Sequence, residues 1–143
     1  MYRVFYAAIV AGTLSASALA RTVPDPKAWA QQFSAVAAHA DKDALFTALS
    51  SVLNPRITSA QLKTGLETID RVLEGRTARS SSIIREELLG DAVYRFHLAV
   101  HYGDVYYMFY TVDMLHVDGG WEVVNFNFNS DLNKALTLPW PLR

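Results

Sequence analysis

The chain is 143 residues long, carries a formal net charge of −1 and contains no cysteine. That length suits one domain, and near-neutral charge argues against nucleic-acid binding, which needs a basic stripe. The absence of cysteine excludes disulfides, thiolate catalysis, Cys-ligated zinc and a lipoprotein-type anchor, so packing alone must hold the fold.

The first twenty residues have the three-part layout of a secretory signal peptide. One charge, Arg3, precedes an apolar run from Val4 to about Leu14, and a small-residue stretch ends in Ala18-Leu19-Ala20. Cleavage is expected after Ala20, leaving residues 21–143 as one exported domain, periplasmic or extracellular, with a C-terminal tail over 130–143. The apolar run is short for a span of ~20 residues, so no stable membrane insertion is expected after cleavage.

Three helices follow in the reading. Asp25-Pro26 suits an N-cap and first helical position, and Trp29, Phe33, Val36 and Ala37 share one face of a helix over 26–39. Asp41 caps a second helix, 42–53, with Leu45, Leu49, Val52 and Leu53 as its stripe; Asn54-Pro55 ends it. Thr58-Ser59-Ala60-Gln61 fits a capping box for a third helix, 59–74, with Leu62, Leu66, Ile69, Val72 and Leu73 inward and Gly75 as left-handed cap.

From Ser80 the period changes to two. Val, Tyr, Phe and Trp alternate with polar residues, and Gly90-Asp91, Gly103-Asp104 and Asp118-Gly119-Gly120 cut the run into four antiparallel strands: 80–89, 92–102, 105–117 and 121–129. A capped helix is the other reading of 80–89. Two-residue loops at each turn would set Glu86 against Arg95, Leu98 against Phe109, and Asp113 against Val124. One face is then an apolar floor for the helices, including Tyr94, Phe96, Leu98, Tyr107, Phe109 and Phe126. The other is aromatic and amphipathic, including His97, Tyr106, Met108, Tyr110, Met114 and Trp121.

The order of elements, with Tyr107-Met108-Phe109-Tyr110-Thr111-Val112, a Gly-Gly turn and Gly120-Trp121-Glu122-Val123-Val124-Asn125-Phe126, resembles the NTF2-like family, which includes SnoaL-type and ketosteroid-isomerase-type proteins. The resemblance implies an α+β fold: three N-terminal helices packed on one face of a curved four-stranded antiparallel meander, with a pocket at the open end of a cone and, in many members, dimerisation through the outer sheet face. The short hairpin that the family inserts among its helices is missing, which points to a reduced version; a cystatin-like arrangement is the nearest alternative. No local motif matches a catalytic residue of the family.

Two residue sets are candidates for a site. Arg85, Glu87, Tyr94, Thr111 and Asp113 interrupt the apolar floor, where charge is costly unless paired or wetted, so they mark either a ligand pocket or a structural ion pair. His97, Tyr106, Met108, Tyr110, Met114 and Trp121 form an aromatic patch of the kind found at interfaces, to be covered by a second copy, an envelope protein partner, or the chain's own tail through Leu136, Leu138, Pro139, Trp140 and Leu142. His97 and His101 lie about 13 Å apart along one strand, too far to share a metal ion, and no metal or cofactor is expected. The leading functional expectation is a non-enzymatic domain that binds a small apolar ligand or a protein partner, as a homodimer. The rival is an isomerase or hydro-lyase that uses Asp113 with Tyr94.

Overall fold

A computed structural model describes residues 22–39, 41–104 and 106–140. The expected signal peptide lies outside the described residues. Among the described residues no helix is long and apolar enough to cross a membrane.

The chain is α+β, with three helices before a four-stranded antiparallel open sheet: α1 (Pro26–Ala37), α2 (Lys42–Ser50), α3 (Ser59–Leu73), β1 (Ser80–Leu89), β2 (Val93–His101), β3 (Tyr107–Val117), β4 (Gly120–Asn129) and a short α4 (Leu132–Leu136). The helix starts follow the capping chemistry. The Asp25 carboxylate accepts from the Lys27 and Ala28 amides, the Asp41 carboxylate accepts from Ala44, and Thr58 and Gln61 make the reciprocal box. At the end of α3 the left-handed cap is Glu74, with Gly75 continuing at positive φ. The α2 helix stops at Ser50, and Val52 to Asn54 pair instead with Val123 along the free edge of β4.

The strands run in the order β1-β2-β3-β4. Val23 bridges the same free edge of β4 at Trp121. This approach demands glycine at position 120. Its φ is +145°, and a Cβ there would stand 2.5 Å from the Val23 carbonyl oxygen.

The registers differ from the two-residue-loop expectation, and the differences reverse a strand. Tyr102 donates its amide to the Tyr106 carbonyl, so the β2–β3 loop has three residues rather than two and Leu98 lies opposite Tyr110, not Phe109. A slip of one residue moves every side chain of a strand to the other face. Met108, Tyr110, Val112 and Met114 are therefore the core residues of β3, all 1% exposed or less, and Tyr107, Phe109, Thr111 and Asp113 point away from α1–α3. The β1–β2 loop also has three residues, which sets Glu87 rather than Glu86 against Arg95; a bulge at Ile84 restores the expected register farther along. Asp118-Gly119 is the two-residue loop expected, with Val117 opposite Gly120. A bulge then makes Asn125, not Val124, the partner of Asp113. Through that bulge Val123 joins Phe126 and Phe128 on the helix side.

The core lies between this face and the helices. On α1, Trp29 stacks on Phe33 at 5.1 Å, and Phe33 meets Phe96 and Phe126 edge-on. Leu45 and Leu49 of α2 and Leu62, Leu66, Ile69 and Leu73 of α3 complete it.

Candidate functional site

Where the C-terminal end of α3 and the start of α2 pass over the β2–β3 end of the sheet, they leave a cleft of 330 Å³. Leu45, Leu66, Ile69 and Leu73 give it an apolar wall, and His39, Asp41, Lys42, Asp70 and Arg76 bring polar and charged groups to it. Tyr102 and Tyr110 line it from the sheet, and their hydroxyls are hydrogen-bonded to each other. Beside the pair, the Arg76 guanidinium lies 4.9 Å from the Tyr106 ring centre.

Burial raises both hydroxyls above the ordinary tyrosine value and Tyr110 far above it; Tyr102 raises Tyr110 further, whereas the hydrogen bond with Tyr110 offsets part of the rise at Tyr102. The folded chain thus keeps these protons to higher pH than the unfolded chain. Unfolding releases protons above about pH 10, so stability is intact below that point and falls as pH rises through it. Removing one titrating hydroxyl with Tyr110→Phe is expected to flatten the fall in urea midpoint between about pH 9 and 11, compared with the unsubstituted chain. An unchanged slope would show that the Tyr110 proton is not held.

The sheet's other face carries a buried polar network, beside an apolar patch that Ala99, Tyr107 and Phe109 share with Leu132 and Leu136 of α4. Arg95, 1% exposed, donates from Nε to Asp113 Oδ1 at 2.5 Å and from Nη2 to Oδ2 at 2.9 Å, and Asn125 donates to the same carboxylate at 2.9 Å. His97, wholly buried, pairs through Nδ1 with the Thr111 hydroxyl at 3.0 Å. Its Nε2 lacks a hydrogen-bond partner and stands 3.6 Å from Glu87 Oε2. Burial, the largest influence on His97, lowers its proton affinity. The C-terminal segment covers this network. Arg95 Nη1 donates to the Leu138 carbonyl at 2.5 Å, Nη2 donates to that of Pro139 at 3.0 Å, and the Trp140 ring sits 4.3 Å from the guanidinium carbon.

The five residues expected to form one ligand pocket are therefore divided. Tyr94 is in the core, where its hydroxyl donates to Glu86. Asp113 and Thr111 are buried on the opposite face, and Arg85 and Glu87 pair with each other at 2.7 Å on the outer strand. Asp113 and Tyr94 share no cavity, because adjacent positions on β2 and β3 point to opposite sides.

The patch expected to be exposed divides as well. Met108, Tyr110 and Met114 are core residues, and His97 is buried on the polar face. Tyr106, partly buried, lies against the Arg76 guanidinium, and Trp121 stacks on His116 beside the N-terminal arm. Sequence reasoning missed Arg95 as the partner of Asp113, and missed the Tyr102–Tyr110 pair. A three-residue β2–β3 loop would have placed both correctly: it sets Arg95 opposite Asp113 and turns Tyr110 to the face of Tyr102. Among the described residues no group of three acidic, histidine or cysteine side chains is placed to hold a metal ion. In comparisons with family models and with curated proteins, nothing matches this chain.

Proposed function

We propose that the chain is an exported, non-enzymatic NTF2-like domain that binds a small, largely apolar ligand in the cleft between α2, α3 and the β2–β3 end of the sheet. The observation that carries this reading is the cleft itself: 330 Å³ with an aliphatic wall and two tyrosines facing it from the sheet. Ligand pockets are commonly concave, mostly apolar and furnished with a few polar groups that fix orientation, at volumes of roughly 300–1,000 Å³. The element order, helices first and an antiparallel meander after, supports the NTF2-like assignment.

The catalytic alternative has less support. Asp113 is fully buried and its carboxylate is taken up by Arg95 and Asn125, Tyr94 is committed to Glu86, and the two lie on opposite faces of the sheet.

Thr77 is exposed and lines the cleft, so Thr77→Trp fills the mouth without entering the core. The unsubstituted chain is expected to bind 8-anilinonaphthalene-1-sulfonate saturably, with a stoichiometry near one. The variant is expected to bind it at least ~10-fold more weakly, with an unchanged far-ultraviolet spectrum. Equal affinity in the two chains would refute the cleft as the site.

A further inference from the structure

We propose that the polar network around Arg95, on the face of the sheet away from α1–α3, is a recognition site for a peptide segment. The chain's own C-terminal segment occupies it here, and the partner it accepts in trans is the same segment of a second copy. This inference is independent of the cleft.

The first support is the chemistry of the covered face. A surface meant to stay covered is normally apolar, yet residues 138–140 lie on Arg95, a buried cation within a network of His97, Thr111, Asp113 and Asn125. Apart from His97 Nε2, which has no hydrogen-bond partner, these groups bond to one another. Arg95 keeps two bonds to Asp113, Asn125 bonds to the same carboxylate, and His97 keeps Thr111. Lifting residues 138–140 leaves Arg95 still paired with Asp113. Water can replace the two carbonyls that Arg95 loses.

The second support is how the segment is read. Arg95 has five N–H donors in a rigid fork. It spends some on Asp113 and directs others at two consecutive backbone carbonyls, Leu138 and Pro139, while Trp140 covers its plane. Carbonyl, carbonyl and aromatic ring on three consecutive residues outside any helix or strand are a peptide motif, and its complement is already built. The third support is the connection. Only Ser130 and Asp131 separate the end of β4 from α4, and exchange of an identical element between protomers across a short hinge is a low-cost route to a dimer.

The test uses the whole folded chain and a fluorescent synthetic peptide of residues 131–143. In the resting chain the site is filled in cis, so the apparent affinity for added peptide is reduced by the fraction that is closed. Trp140→Ala in the chain weakens the cis contact, and is expected to raise affinity for the unsubstituted peptide by roughly tenfold. The same substitution in the peptide is expected to lower affinity for either chain. Thr77→Trp is expected to leave peptide binding unchanged, which separates this proposal from the cleft. Light scattering at rising chain concentration is expected to show dimers that excess peptide dissociates. Absence of peptide binding to both the unsubstituted and Trp140→Ala chains, each folded by circular dichroism, overturns the site. Peptide binding with a chain that stays monomeric at millimolar concentration overturns the second copy as the occupant.

Discussion

Asp113→Ala is expected to lower the stability of the folded chain by about 3–5 kcal/mol, read from urea unfolding. The carboxylate is fully buried and takes two hydrogen bonds from Arg95 and one from Asn125. Removing it leaves a guanidinium, 1% exposed, with only the Leu138 and Pro139 carbonyls as partners. An uncompensated buried charge is the expensive outcome; the pair itself contributes less, because desolvating both ions offsets much of their attraction. The double substitution Arg95→Met with Asp113→Leu removes both charges at similar volume, and is expected to recover most of the loss. The two single changes therefore should not add. A cost below about 1 kcal/mol for Asp113→Ala would mean that water reaches Arg95 freely and that the C-terminal segment does not seal the face. Domains of this size are typically stable by only about 5–15 kcal/mol, so the full effect takes much of the margin.

The helical half was legible because its signals are local. Asp25, Asp41 and the Thr58–Gln61 box each mark a start within one turn, and each stands in the structure where the sequence puts it. The strands were legible as strands for the same reason. What failed was register, which rests on loop length. Gly90-Asp91-Ala92 and Gly103-Asp104-Val105 are three-residue connections, and reading either as two slips the pairing by one.

The polarity of β3 points the right way by itself. Thr111 and Asp113 fall on one side, and Met108, Tyr110, Val112 and Met114 on the other. Only the Gly103-Asp104 dipeptide points the other way, because Gly-Asp suits a two-residue hairpin loop. The bulge beside Asp113 has no comparable local mark, and it alone lets Val123 and Phe126 face the same way. The candidate site was less legible than the fold. The cleft brings together α2, α3 and Tyr102 and Tyr110 across tens of residues, and the cover over Arg95 comes from carbonyls more than forty residues farther along. Neither leaves a pattern in any short window.

Phe33→Ala is expected to cost about 3–5 kcal/mol, whereas Val36→Ala, three positions later on the same helix, should stay within about 0.5 kcal/mol. Both positions belong to the apolar stripe read from the sequence, so the stripe cannot distinguish them. The sheet does. Phe33 is 1% exposed and enclosed by Trp29 at 5.1 Å, Phe96 at 6.2 Å and Phe126 at 6.5 Å. Val36 is 36% exposed. Truncating Phe33 removes the transfer free energy of a whole ring and leaves a hole bounded by three other rings, which rigid aromatic neighbours on two strands fill poorly. Truncating Val36 removes methyl groups that water already reaches. Phe33→Leu is expected to recover a good part of the loss, since the hole is then partly filled. Phe126 faces Phe33 only because the bulge in β4 turns it inward beside Val123. A small cost at Phe33, comparable with that at Val36, would therefore count against the docking of α1 and against that bulge together.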